Sequence, residues 1–396
     1  MKFKFLISII FILILSGMSA AGMITTSTLE NQIFFLEPKD SGGTARIYYD
    51  LNTSFGIDFK KTPEDMKSGK IYYHILKPGT DESHSVPMAW NKDKGLLYID
   101  VNGNMDITDD PGNRHESSER GRPNYANFNN VTIPVIINDE TVDYNCNFTF
   151  YDYNRGFSRF YVFVQNSWSE DIILGNEKVT LTISDNLDGE LKKDKSEYNT
   201  DRFSIYFNNE NFEGNPVIFS DLSFSDSLYL RDTAWNVKYE FVPLDNDVYL
   251  KATFEKKSPE TASINLPGKY IRQIQFDGTW FALYPRPPEK ITIPAGSYPE
   301  RKVVLQKAGS DKSALSDDSG RISTFDPGTS ITLKTGGPLS PMINYQQDSS
   351  RITFSYQLKG IGGETYSPVN IDYSSPPRLE IYSGDELIQS AAFQFG

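Results

Sequence analysis

The residues of this chain that could do chemistry together are oxygen donors. They are densest in Leu97-Tyr-Ile-Asp-Val-Asn-Gly-Asn-Met-Asp-Ile-Thr-Asp-Asp110. Asp100, Asn102, Asn104 and Asp106 carry a side-chain oxygen at every second position, and a hard cation such as calcium takes about six to eight oxygens. Aligned with the standard calcium-binding loop, Asp100, Asn102 and Asn104 take the first, third and fifth places, and Ile107 takes the eighth, where an apolar anchor sits. Met105 stands where that loop has glycine for its sharp turn. Pro111 stands where a bidentate acid closes it, so Asp109 or Asp110 would have to close a shorter loop. One reading is therefore calcium held by Asp100, Asn102, Asn104, Asp106, Asp109 and Asp110. The other is a bare hairpin, because Asn102-Gly103 is a preferred type I′ turn pair between two alternating flanks.

A second acidic turn is Ser184-Asp-Asn-Leu-Asp-Gly-Glu-Leu191. Asn186, Asp188 and Gly189 match the third, fifth and sixth places of the calcium loop, but Ser184 opens it and no acid closes it. Here too a metal competes with a plain acidic turn on a sheet.

Other chemistries leave no signature. The chain has no Gly-x-Ser-x-Gly elbow, no His-Glu-x-x-His and no phosphate-cradling glycine loop. His74 lies in a strand-like block and His84 and His115 in polar loops, without the paired spacing of a zinc site. Cys146, the single thiol, sits in Tyr144-Asn-Cys-Asn-Phe148 with no histidine nearby, which reads as a buried, inert side chain. A glycosidase needs two close carboxylates, and among 52 acids the sequence selects no pair. Phe276-Asp-Gly-Thr-Trp-Phe-Ala-Leu-Tyr284 could offer Trp280 and Tyr284 to a sugar, as could Trp235, but rings at strand spacing otherwise fill a core.

The elements that must position these residues are strands. Period-two alternation rich in β-branched and aromatic residues recurs roughly every 10 to 15 residues, punctuated by Gly, Pro, Asn, Asp and Ser. Lys70-Ile-Tyr-Tyr-His-Ile-Leu76, Val131-Thr-Ile-Pro-Val-Ile-Ile137 and Lys178-Val-Thr-Leu-Thr-Ile183 are examples. Only residues 62–66 and 219–225 leave room for short helical turns. The expected fold is all-β, with two or three antiparallel sandwich-like domains in series and little helix. Polar breaks at Gln165-Asn-Ser-Trp-Ser-Glu-Asp171 and Glu255-Lys-Lys-Ser-Pro-Glu-Thr261 divide it into 22–167, 168–257 and 265–396.

The composition fits that reading. In 396 residues, 13% are aromatic, too many for a disordered chain, and one Cys excludes a disulfide scaffold. The net charge of −13 argues against nucleic acid as a partner. Residues 1–21 read as a signal peptide: Lys2 and Lys4, then an apolar run, then Ser19 and Ala21 as a small-x-small cleavage site. Its removal takes the net charge to −15 and leaves no membrane span. Three sequons, at Asn52, Asn130 and Asn147, identify no host.

The run from Tyr98 to Asp110 resembles a motif of exported, uncharacterised bacterial β-rich proteins with Asp/Asn-rich, calcium-like turns. Thr182-Ile-Ser-Asp-Asn-Leu-Asp-Gly-Glu-Leu191, followed by Asp201-Arg-Phe-Ser-Ile205, is similar to their second acidic turn. The ending is similar too, with Tyr356-Gln-Leu-Lys-Gly-Ile-Gly-Gly-Glu-Thr-Tyr366, Pro376-Pro-Arg-Leu-Glu-Ile381 and Phe393-Gln-Phe-Gly396. The resemblance implies β-rich modules with calcium-like turns and no assigned reaction. The expectation is an exported structural or binding protein of the periplasm, envelope or extracellular space, stabilised by calcium, with a polysaccharide or an envelope protein as partner. The alternative is an extracellular carbohydrate-active protein, either a glycoside hydrolase or a sugar-binding module.

Overall fold

A computed structural model describes residues 26–27, 31–51, 56–110, 112–119, 122, 124–153, 158–192, 201–212, 215–244, 247–310, 312–317, 322–348, 351–369 and 377–393. The signal segment 1–21, the Asn52 sequon, Pro111 and the chain end 394–396 lie outside these residues.

The alternation seen in the sequence becomes strand. In Glu177–Ser184, Val179, Leu181 and Ile183 are buried while Thr180 and Thr182 between them are half-exposed, as a two-residue period over a half-covered sheet requires. The described residues hold 31 strands and one 3₁₀ turn, Glu64–Met66, and the fold is all-β with several mainly antiparallel sheets. The turn lies within 62–66, but Pro63 caps it with no side-chain hydrogen bond, so Thr62 does not act as its cap. Residues 219–225 are not helical. Asn215–Ser223 is a strand beside Arg202–Phe212, and Phe219, Leu222 and Phe224 go into the core.

The largest sheet runs without a break from Asn215–Ser223 through Arg202–Phe212, Glu177–Ser184 and Ser167–Leu174 to Asn31–Lys39. It continues through Asp247–Lys257, Thr233–Leu244 and Ser227–Leu230, and then, by a parallel pairing, into Phe281–Pro285 and the C-terminal strands. A second sheet orders Arg46–Leu51, Ser158–Val164, Glu140–Asp152 and Tyr125–Ile137. A third orders Ile71–Leu76, Val86–Asn91, Leu96–Ile99 and Arg114–Glu116.

One apolar core joins the first two sheets and much of the third, from Phe34 to Phe254 with Phe281 and Leu283 added. Trp168 shows the join. Its ring lies 5.9 Å from Tyr144 and 4.8 Å from Phe241, and its indole donates to the Val248 carbonyl at 2.8 Å. A separate core serves the C-terminal region around Phe276, Ile293 and Tyr298. Among the described residues no helix is long and apolar enough to cross a membrane.

Candidate metal centres

The loop 100–110 joins two paired strands, but not as the tight hairpin that Asn102-Gly103 suggests. Leu96–Ile99 pairs with Arg114–Glu116, with Leu97 opposite His115 and Tyr98 opposite Arg114. No described residue between them belongs to a strand, so residues 104–108 are not the return strand.

Inside this loop the alternating side chains fold the backbone. Asp100, fully buried, accepts from the Asn104 amide at 3.2 Å and the Met105 amide at 2.7 Å. Asn102 accepts from the Asn104 amide at 3.0 Å, Asn104 from Asp106 at 2.7 Å, and Asp106 from Thr108 at 3.0 Å. These Asx turns curl the chain. Met105 has φ +71°, the left-handed conformation that glycine supplies in calcium loops, and Ile107 is buried beside Met66 and Tyr98.

The six expected ligands divide into two groups. Asp106 is committed elsewhere, with Lys61 Nζ at 2.7 Å on one oxygen and Thr108 on the other, and its carboxyl is held well below the usual range, first by Lys61. Asp109 accepts from the side-chain amides of Asn102 at 3.3 Å and Asn104 at 2.9 Å. Asp110 accepts from the Asn102 amide at 3.1 Å through one oxygen. Its other oxygen is buried with no partner among the described residues. Burial raises the Asp110 pKa, and the charges of Asp100 and Asp109 raise it further. An unpaired buried carboxylate oxygen beside two more acids is a cation-shaped deficit.

The second turn carries the denser cluster. Asp185, Asp188 and Asp201 each bring a carboxylate oxygen within 4.8 Å of the other two, and no other group of three acidic, His or Cys ligands comes so close among the described residues. Strand pairing makes the site. Ser184 lies opposite Arg202, so the residue after the one and before the other, Asp185 and Asp201, meet where the hairpin's connecting loop begins and ends. Asp185 accepts from the amides of Leu187 at 3.1 Å and Gly189 at 3.2 Å and from Tyr144 Oη at 2.9 Å. Asp201 accepts from the amides of Asn186 at 2.9 Å and Lys192 at 2.8 Å.

Gly189 is needed here. At φ +72° a Cβ would press on Gly79, Thr80 and Ile137 at 3.2–3.3 Å. Asp185 and Asp201 have no exposure, whereas the Asp188 side chain is one-third exposed and meets Lys192 Nζ at 3.0 Å. A small cavity of about 160 Å³, lined in part by Tyr49, Asn186 and Asp188, opens beside it.

Burial drives the Asp201 pKa up to about 7 and that of Asp185 well above the carboxylate range, with the neighbouring acids adding to both. The pair must hold a proton or meet a cation. Three carboxylates, with the Asn186 side chain nearby, form an all-oxygen donor set suited to a hard divalent ion.

Reading Ser184, Asn186 and Asp188 as loop places misses this geometry. Ser184 Oγ instead accepts from the Thr44 amide at 3.0 Å, and the acids that converge are Asp185 and Asp201. The available signal was Asp201 standing directly before a strand that pairs with the one ending at Ser184.

The remaining candidates are structural. Cys146 is fully buried, which pushes its thiol up and away from reactivity. His74 packs between Tyr49 at 4.7 Å and Phe160 at 5.0 Å, and burial holds its pKa down at about 4. Trp235 and Tyr284 lie in the cores, and Trp280 packs half-buried against the C-terminal core.

The fold and these loops define a class: an all-β protein whose acidic turns are laced by their own backbone and stop short of charge balance. No protein-family model matches the chain, and no curated protein or solved structure matches it either.

Proposed function

We propose that this is an exported structural or binding protein of the cell envelope or extracellular space, in which calcium acts as a structural ion. The reading rests above all on Asp185 and Asp201, two wholly buried carboxylates with Asp188 within 4.8 Å, where Lys192 pairs with Asp188. A calcium ion there would discharge the mutual repulsion of the acids and pin the turn 185–191 to the start of Arg202–Phe212. Loop 100–110, with the unpaired Asp110 oxygen, is the second position for such an ion. The resemblance to exported bacterial proteins with calcium-like turns, the signal-like residues 1–21 and the acidic surface support export and a partner that is a polysaccharide or an envelope protein rather than nucleic acid.

As a hydrolase pair, Asp185 and Asp201 would need pKa values pushed apart, one kept low. Both are raised by burial, which suits a cation better than acid–base chemistry. The test is calorimetry on chelator-treated protein. Heat of calcium binding together with a raised unfolding midpoint is expected. No heat at millimolar calcium and no midpoint shift on chelation would reject the proposal.

A further inference from the structure

Ser340–Gln347 ends the largest sheet. It pairs with Ile352–Lys359 on one side and, among the described residues, with nothing on the other, and all eight of its residues are exposed. An edge strand offers a row of unpaired backbone groups, which proteins commonly guard with charge. Two edge strands elsewhere follow this rule, with Arg46 and Asp50 in Arg46–Leu51, and Arg114 and Glu116 in Arg114–Glu116. Ser340–Gln347 does not. It reads Ser-Pro-Met-Ile-Asn-Tyr-Gln-Gln, uncharged, with one proline near its start. Ile343 is 49% exposed and Tyr345 69%, and Tyr356 and Phe354 opposite them extend the same apolar side.

The hairpin's own hydrogen bonds fix which backbone groups point outward. The Asp348 amide donates to the Arg351 carbonyl at 2.9 Å, and in an antiparallel ladder such pairs recur at every second residue. Asn344, opposite Ser355, therefore turns its N–H and C=O towards Ile352–Lys359, whereas Ile343 and Tyr345 turn theirs outward. A second copy of the strand, run antiparallel about a two-fold axis at Asn344, matches this edge. Ile343 and Tyr345 of one copy would exchange backbone hydrogen bonds with Tyr345 and Ile343 of the other. Their side chains, on one side of the sheet, would pack as cross-strand pairs of aromatic with β-branched. The two Asn344 side chains would meet on the opposite side, at a non-hydrogen-bonded pair, where side chains lie closest. At each end Asp348 would stand opposite Ser340 of the other copy. Lys359, the neighbour of that Ser340, lies one strand further on the same side, so opposite charges approach and no like charges oppose directly.

We infer that two copies of the protein join by these edges into one continuous sheet, a two-fold dimer with Asn344 at its axis. Such a contact uses the same patch on both copies, so assembly stops at two. Eight residues a side are well below the about 20–30 of a standard interface, so the dimer is reversible and dissociates at micromolar concentration or above. None of the acids proposed to hold calcium lies in it, and its formation does not depend on the metal.

Sedimentation velocity of the whole protein over a range of concentrations tests this. A monomer–dimer equilibrium that chelator leaves unchanged is the expected result. Asn344→Lys sets two lysines face to face and should weaken the dimer at least about tenfold, as should Asn344→Asp, and an equimolar mixture of the two variants should restore it. Position 344 is exposed, so both variants should fold as the parent does. Oxidation reads the register. Asn344→Cys should form a disulfide between copies, and Met342→Cys, which would face Gln346 of the other copy, should not, while the buried Cys146 takes no part. A protein that stays monomeric at millimolar concentration overturns the inference, whether its edge is open or taken by a strand of another protein. So does a dimer that neither charged variant weakens, or one that mixing the two variants fails to restore.

Discussion

Replacing Asp201 by Asn removes a carboxyl that folding raises from 3.8 to about 7, chiefly by burying it. Between these values the folded protein keeps a proton that the unfolded chain has released. Stability therefore falls as pH rises through the window, and the loss is complete above about pH 7. At about 1.4 kcal/mol per pH unit, the whole window is worth about 4 kcal/mol. Asp185 shares the site, so the two acids titrate together and the figure belongs to the pair.

His74 tilts the profile the other way. Held at about 4 by burial against an ordinary 6.5, it stays neutral while the unfolded chain protonates, so stability rises with pH between those values. The informative quantity is accordingly the difference between Asp201→Asn and the parent protein, which share His74. Urea denaturation in chelator at pH 4, 5.5 and 7 reads it. The variant should gain on the parent by about 4 kcal/mol from pH 4 to pH 7, less about 1 kcal/mol throughout for a backbone amide that Asn no longer satisfies. Saturating calcium should reverse the order at pH 7, since at 1,000 times its Kd the parent gains about 4.1 kcal/mol, more than the lead of about 3 kcal/mol, and the variant has lost a ligand. A difference that stays flat from pH 4 to pH 7 would show that Asp201 is not protonated in the folded protein, and the case for a cation there would go with it.

Two further substitutions test the backbone of these turns. Met105→Gly removes the penalty of a side chain at φ +71° and should stabilise the chelated protein by about 1 kcal/mol in urea denaturation, whereas a loss of stability would mean that the Met105 side chain outweighs its strain. Gly79→Ala should cost about 3 kcal/mol or more, because at φ +85° a Cβ would meet the Ile136 carbonyl oxygen at 2.1 Å and disturb the Gly79 amide bond to the Leu187 carbonyl, and an unchanged urea midpoint would contradict that packing.

The strands were legible because burial enforces their period. Val179, Leu181 and Ile183 had to be apolar to face the core, and the sequence displays them. The polar stretch 165–171 hides a strand, since Ser169 meets Thr182 through paired hydroxyls while Asn166 and Ser167 are buried beside Trp168 despite being polar. The loop 100–110 was visible as an Asx ladder because its bonds run between residues two to five apart. Its hairpin register was not, because Arg114–Glu116 is a short strand with little apolar character. The triad was the hardest to see. Asp185 and Asp201 are brought together by the pairing of Ser184 with Arg202, and local spacing holds no trace of such a contact.

The place of Asn31–Lys39 in the largest sheet bears on how the molecule assembles. This strand pairs on one side with Ser167–Leu174 and on the other with Asp247–Lys257. Synthesis delivers it long before either of these neighbours exists, so its apolar Phe34 and Leu36 wait for distant partners, and only Gln32 and Ile33 have a local one, in Thr26–Ser27. A strand made early in synthesis is thus among the last that can be sealed, and the sheet cannot close over it until the chain has been delivered to about residue 255.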